Sequence, residues 1–399
     1  MLSPAAYVAI SVLVGLSFGV FLQKARFCFV SACRDFFAFK DTRVLKGVLA
    51  GLFVMTLFWS LQATTGYFRG FWTPPWGLAS LFGGFVFGVG MTMAGGCASG
   101  TLYRAGQGYL QFWLTLLFMG VGYVVFAFAF PTLRSMYFEP LRFGAGASLY
   151  FSLPWPPVVT GGAVTVGAVL LYALVVGHVR RPEEPDEPAA VAADGGQVRR
   201  PGPGLAALEL GLASLWHGTR AYLAGFVDDD RPVAVRLRDS WDARTAGIGL
   251  ALVASVWFWV YGSWAITGSE AKWTGYLLSQ VGVNVAGVEY WGSVLFRGSG
   301  VSVTVDMVMI ASLVVGSFLA AVLSGDFRIR YPKLERLPNP VVGGFLMGVG
   351  SRLAPGCNIA NLFSGVALLS VHSFLAGAGI VLGTYVMTHW LYREVGCAI

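Results

Sequence analysis

Charge is scarce in this sequence. Only 12% of its 399 residues are charged, against about 25% in an ordinary soluble domain. Hydrophobic residues make up 56% of the chain, and the mean hydropathy is +0.68. Such a balance excludes a soluble globular protein and makes the lipid bilayer the partner of most of the chain. Histidine is almost absent, at four residues. The five cysteines (Cys28, Cys33, Cys97, Cys357 and Cys397) show neither C-x-x-C nor zinc-ligand spacing, so no metal site and no cofactor is expected. Their odd number and isolation argue against a disulfide framework. No Lys/Arg cluster is interleaved with aromatics. The net charge of +7 therefore reports orientation in a membrane, not a nucleic-acid partner. The N-terminus also lacks a positive leader. Its apolar run, LSPAAYVAISVLVGLSFGVFLQ, is followed by Lys24 and Arg26, which predicts a retained first span with its N-terminus outside.

Glycine, by contrast, is plentiful at 53 residues, which suits close helix contact and broken helices in lipid. Apolar stretches lie near 4–23, 47–66, 77–94, 109–130 and 157–178, and again near 246–267, 274–291, 305–325, 341–353 and 373–392. Between the two groups, residues 180–204 read RRPEEPDEPAAVAADGGQVRRPGPG. Rich in Pro, Gly and charge, this segment is a solvated linker. Residues 205–226 have the character of an interfacial amphipathic helix. The expected organisation is a first membrane repeat over 1–178, a charged linker over 179–245 and a second membrane repeat over 246–399. Basic residues concentrate in the 24–46, 179–245 and 326–339 segments, and the positive-inside tendency puts these in the cytoplasm. The 67–76 loop, with Arg69 alone, is expected outside.

The two halves share a unit. Residues 83–97, GGFVFGVGMTMAGGC, align without a gap on residues 343–357, GGFLMGVGSRLAPGC, with nine of fifteen positions identical. Such agreement at a constant offset of 260 indicates internal duplication. The first copy follows the sparsely charged loop and the second follows a basic one, so the copies are expected to enter the bilayer from opposite faces. This is the inverted repeat used by many secondary transporters. The expected fold is therefore all-α and polytopic, with two inverted repeats and short broken helices meeting at a central site. Each cysteine lies 14 residues into its copy, about 21 Å along a helix through roughly 30 Å of hydrocarbon. Broken backbone at that depth persists only where it is buried or lines a cavity.

Gly95 and Gly96 before Cys97, and Gly356 before Cys357, allow close approach of a ligand to backbone N–H groups, which attract anions. Ser99 and Thr101 add hydroxyls; Asn358 and Asn361 add amides. These are neutral donors, so an anion binds and still leaves. Arg104 and Arg352 draw anions to the two mouths, though orientation is the simpler role for Arg104. A buried thiol is neutral and soft, suited to a sulfur atom of the substrate. Buried cysteines are common packing residues, but the same thiol at matched positions in two diverged halves favours a role for Cys97 and Cys357. Asp306, near the start of a span, is a candidate for proton coupling or an interfacial group. Cys397 lies too near the end to join the site.

The segments FLQKARFC, GGFVFGVGMTMAGGCASGTLYRAGQG and GGFLMGVGSRLAPGCNIANLFSG together resemble the YeeE/YedE family of sulfur-compound transporters. The resemblance covers both membrane halves. It implies uptake of thiosulfate or a related sulfur species across the bacterial inner membrane and an hourglass-like fold. It also implies three functional cysteines, Cys28, Cys97 and Cys357, and a cytoplasmic TusA-like sulfur-carrier protein as partner. Some members are linked to selenium metabolism, so a selenium compound is an alternative cargo, the more so because the long linker departs from the shortest members. A membrane thiol oxidoreductase or sulfurtransferase is the enzyme alternative. It needs a resolving thiol, and Cys33 is the nearest to Cys28 in sequence.

Overall fold

The computed structural model describes residues 3–66, 70–179, 203–227, 238–292 and 302–394. Arg69, Cys397 and residues 180–202 and 228–237 of the linker lie outside the described residues. The chain forms two compact units, one of Met1–Thr160 with Arg236–Ile399, the other Gly161–Val235.

The larger unit is helical apart from a short antiparallel ribbon of β1 (Trp76–Gly77) and β2 (Arg142–Gly144). Its first half holds α1 (Pro4–Lys24), α2 (Phe29–Phe39), α3 (Arg43–Thr65), α4 (Leu78–Ala94), α5 (Ala98–Gly106), α6 (Leu110–Leu133) and the single turn α7 (Leu149–Ser152). The helix α8 (Pro157–Val179) leads into the smaller unit, which also contains α9 (Pro203–Val227). Within that unit Gly211 packs directly on Ala173. The second half of the larger unit holds α10 (Ala243–Val260), α11 (Thr267–Gln280), α12 (Val305–Leu323), α13 (Pro338–Leu353) and α14 (Val371–Glu394).

Local chemistry explains where the helices start. Ser3 accepts the Ala6 N–H at 3.2 Å with Pro4 in the first turn, and Asp242 accepts the Arg244 N–H at 2.8 Å. Both satisfy amides that a helix leaves unpaired. In the turn before α3, Asp41 accepts from the Arg43 backbone and guanidinium, which holds its carboxyl below the usual range.

Among the described residues, eight segments are long and apolar enough to cross a membrane: Pro4–Phe39, Arg43–Thr65, Leu78–Gly106, Leu110–Phe138, Pro157–Val175, Ala243–Val260, Val305–Leu323 and Val371–Leu391. The protein is a multi-pass membrane protein. Two expected spans differ. The 274–291 stretch is interrupted: α11 stops at Gln280, and a short 3-10 turn, Val285–Gly287, follows. The 341–353 stretch forms α13, whose 16 residues reach about 24 Å, short of the hydrocarbon thickness.

Glycines set the packing. Gly83 of α4 sits against Ala354 just past α13, and Gly343 of α13 sits against Ala94 at the end of α4. Gly90 faces the Gly343 carbonyl, and Gly350 the Gly83 carbonyl. Thus α4 and α13 run antiparallel, and shifting by 260 residues exchanges one set of contacts for the other. Their neighbours follow suit: Gly84 and Gly88 meet Ala376 and Ile380 of α14, while Gly344 and Gly348 meet Thr115 and Met119 of α6. At each position an added Cβ would collide with a neighbouring backbone, the small-residue packing of membrane helices. A similar crossing joins α1 to α12 through Gly15 and Gly316, and α3 to α10 through Gly47 and Gly247.

One end of this unit gathers basic segments. Lys24 bonds Ser324, Arg26 approaches Asp326 at 3.9 Å, and Arg330 pairs with the chain at Gly108–Leu110. The ribbon, the turn after α11 and the Ala354–Gly356 segment belong to the opposite end.

Candidate functional site

The break after α4 is built by Gly95. Its φ of +72° is a left-handed conformation that costs a side-chain-bearing residue roughly 1–2 kcal/mol, and its N–H closes the helix on Met91 and Thr92. Gly96 follows beneath the Phe112 ring, with room for no Cβ. Cys97 then caps α5. Its sulfur accepts the Gly100 N–H at 3.3 Å, and its carbonyl accepts the Thr101 N–H at 2.7 Å. The break after α13 is similar. Gly356 has φ +142°, and the Cys357 carbonyl accepts the Asn361 N–H at 2.8 Å to open the π-helical turn Ile359–Gly365. Each Gly-Cys pair thus sits where one helix stops and a short one begins.

Cys28 caps α2, and its sulfur lies 3.5 Å from that of Cys97. The Ser99 hydroxyl is 3.4 Å from the Cys97 sulfur. Since that sulfur accepts from a backbone amide, the Cys97 S–H is left to share with Cys28 or Ser99. Cys28, Cys97 and Cys357 are fully buried and belong to one contiguous core cluster. Cys357 is not within hydrogen-bonding distance of either of the other two. Cys33 lies within α2 and is partly exposed; the thiol facing Cys28 is Cys97, 69 residues away.

The amides after Cys357 differ from one another. Asn361 donates to the Ala354 carbonyl at 3.3 Å and accepts from Ser373 at 3.4 Å. Asn358, wholly buried, has no partner on either amide atom. An unsatisfied buried polar group costs about 1–3 kcal/mol, so this side chain is kept for something other than stability.

Two arginines flank these breaks. Arg104 reaches back from α5, donates to the Gly95 carbonyl at 2.6 Å and to the Tyr103 hydroxyl at 3.1 Å, and lies 5.2 Å over the Phe112 ring. It holds the Gly95 break together, which goes beyond orientation. With Arg26, Arg330, Gln107, Gln111 and Asp326 it lines a polar cavity of about 390 Å³. Arg352, 9% exposed, donates to Tyr290 at 3.0 Å and Thr267 at 2.6 Å. Among the described residues neither arginine makes an ion pair.

Sequence reading passed over several neighbours. An added Cβ on Gly100 would lie 2.7 Å from the Cys28 sulfur, a contact visible only once α2 is placed. His372 joins the two halves. Its Nε2 faces the Ala354 carbonyl at 3.1 Å and so donates, while Nδ1 meets the Ser80 hydroxyl at 2.8 Å. Glu270, a lone acid in an apolar region, accepts the Tyr123 hydroxyl hydrogen at 2.6 Å.

Asp306 sits at the start of α12 within a network of partners. It pairs with Lys272 at 3.1 Å and accepts from Tyr261, Ser269 and Thr304. A carboxylate so fully satisfied ties α11 to α12. Breaking a buried pair costs about 3–5 kcal/mol, so Asp306→Asn should lower the unfolding midpoint of the purified protein and leave the uptake KM unchanged. A changed KM with unchanged stability would contradict this assignment.

Residues 24–386 match the family described as sulphur transport. The chain belongs to that family. It is 30% identical to a Spirochaeta thermophila protein named thiosulfate transporter TsuA, across 96% of this chain and 98% of the relative. An Escherichia coli protein of the same name is 23% identical across 95% of this chain and 93% of its own length. An Escherichia coli protein named probable transporter YedE is 30% identical over 147 residues, 36% of each chain. As a family member the protein moves a sulfur compound across a membrane, and both glycine–cysteine breaks lie inside the matched region.

Proposed function

We propose that this protein takes up thiosulfate, or a related small sulfur-containing anion, across the bacterial inner membrane. The observation that carries the reading is the placing of Cys97 and Cys357, each at the start of a short helix after a glycine break. The full-length likeness to relatives named thiosulfate transporters supports the same cargo. The proposed pathway runs past Cys357, Gly356, Asn358 and Asn361 from outside, then past Cys97, Gly95, Gly96, Ser99 and Cys28 towards the cytoplasm. The unpartnered Asn358 amide offers both a donor and an acceptor to a passing oxyanion. Neutral thiols offer weak contacts to its sulfur, so the anion is bound and released.

The exchange of contacts between α4 and α13 favours two inverted repeats, 1–178 and 246–399, joined by a 179–245 linker on the cytoplasmic side. The basic end, with its arginine-lined cavity, then faces the cytoplasm, where a TusA-like sulfur carrier is the expected partner. The test is uptake of labelled thiosulfate into cells lacking other sulfate and thiosulfate permeases. Expression of this protein should restore it. A well-expressed protein that carries none would overturn the reading, and selenium compounds would be tried next.

A second reading, thiol exchange, is favoured by the 3.5 Å approach of Cys28 to Cys97. Attack of either thiolate on the outer sulfur of thiosulfate would break its S–S bond, release sulfite and leave a persulfide on the purified protein, detectable by mass. Unmodified cysteines after turnover would exclude it.

A further inference from the structure

The buried acid Glu270 has no part in the pathway described above, yet its surroundings are unusual. It lies on α11, outside the eight crossing helices, and is 7% exposed. One carboxylate oxygen accepts from Tyr123; the other, Oε1, is buried without a partner. Glu270 and Tyr123 line a cavity of about 370 Å³ between α6, α11 and α12 whose other walls are mainly apolar, among them Leu116, Met119, Leu277 and Ile310. An ionised carboxylate with a bare oxygen in such a place is costly, and the protonated form removes that cost.

The charge on the other side pulls the opposite way. Arg352 of α13 lies 5.6 Å from the centre of the Tyr123 ring, with Glu270 hydrogen-bonded to the same residue's hydroxyl. Its own bonds go to neutral oxygens of Tyr290, Thr267 and Ser351. Among the other ionisable groups nearby, the Cys357 thiol lies close to Arg352 and Tyr123 without a hydrogen bond of its own among the described residues, and the rest are occupied. Asp306 of α12 is held by Lys272, Ser269, Tyr261 and Thr304, and Tyr290, beyond the 3-10 turn, is engaged by Arg352. Burial pushes the Glu270 carboxyl up to about 7, against the Tyr123 hydrogen bond and the Arg352 charge, which favour ionisation. Glu270 is therefore poised between two states by one hydroxyl and one cation.

We propose that Glu270 is a proton site coupled to anion binding beside Arg352, so that each anion reaching Arg352 is accompanied by one proton on the unpartnered Glu270 carboxylate. This rests on the reading of the protein as an anion carrier. The anion neutralises the guanidinium charge that stabilises ionised Glu270, and the carboxylate takes up H⁺ from water. When the anion moves on, the bare guanidinium again favours the ionised form and the proton leaves. No bond other than O–H is made or broken. Linkage makes the effect reciprocal: added protons tighten the anion as much as the anion tightens the proton.

The experiment uses the full chain in proteoliposomes, with thiosulfate uptake measured at external pH from about 8 to about 6. For the wild type, KM should fall roughly fivefold to tenfold across this range, within the span of ordinary coupling energies. Glu270→Gln, a permanently neutral side chain, should transport with a KM that no longer responds to pH. Tyr123→Phe serves as a second variant. It removes the hydrogen bond that favours the charged form, so its transition should move to higher pH. A wild type that transports with a flat KM would overturn the coupling while leaving the transport reading intact. So would Glu270→Gln or Tyr123→Phe titrating like the wild type. Absence of thiosulfate transport by the wild type at every pH would overturn both.

Discussion

Replacing Cys97 or Cys357 with alanine should reduce labelled thiosulfate uptake at least about a hundredfold, with normal amounts of protein in the membrane. The expected size follows from the geometry. Cys97 is at once the cap of α5, the neighbour of Cys28 at 3.5 Å and the neighbour of Ser99 at 3.4 Å. Alanine removes the soft contact and the cap together. The cap alone is worth about 1 kcal/mol, too little to unfold the unit, so lost uptake reports on the pathway. Cys357 gives the cleaner case. No hydrogen bond of its sulfur stabilises the fold among the described residues, and its carbonyl, not its thiol, opens the next turn. Serine at either position tests the chemistry further. It restores a donor of similar shape but a harder one, so uptake should stay well below wild type if the contact is to substrate sulfur. Cys33→Ala should transport normally, since the thiol facing Cys28 is Cys97. Normal uptake by both Cys97→Ala and Cys357→Ala would remove the thiols from the pathway and leave the glycine breaks as packing features.

Much of this was legible in the sequence because the membrane constrains so strongly. A chain with few charges must satisfy its backbone internally, and eight of the ten expected apolar stretches coincide with crossing segments among the described residues. The repeated GG-F…GVG…A-G-C unit marked α4 and α13 before any contact was known, and the glycines at 83, 90, 343 and 350 turn out to be where these helices touch. What could not be read depended on three-dimensional closure. The 274–291 stretch is apolar enough for a span, but Gly282 adopts φ +89° and the helix ends. Asp306, an acid at the start of a span, was open to a proton-coupling or an interfacial role. Its ion pair with Lys272, 34 residues earlier, is invisible to any local pattern. Glu270 was overlooked for the converse reason, since an acid between two apolar stretches reads as a loop residue. The Cys28–Cys97 contact joins residues from different helices, and only the family resemblance linked them beforehand.

The asymmetry between the halves leads to the second large effect. At the offset of 260 residues, Gly100 corresponds to Ala360. Both lie three residues past a glycine-preceded cysteine, near the start of a short helix. A methyl group is accommodated at 360, where no second thiol faces Cys357. At 100 a Cβ would lie 2.7 Å from the Cys28 sulfur and 3.3 Å from that of Cys97. Glycine at this position is therefore the counterpart of a third thiol that only the first half possesses. Alanine inside α5 should favour the helix by about 1 kcal/mol through propensity, so Gly100→Ala is expected to fold. The methyl must instead push Cys28 away from Cys97 in a core with no slack. Uptake should fall by roughly tenfold or more, since misplacement of about 1 Å at a working site has effects of that order. Gly162→Ala, where an added Cβ meets nothing within 4 Å, is the control and should transport normally. Wild-type uptake by Gly100→Ala would mean that the close approach of the two sulfurs is not used in transport, and Cys28 would drop out of the pathway while Cys97 and Cys357 remained.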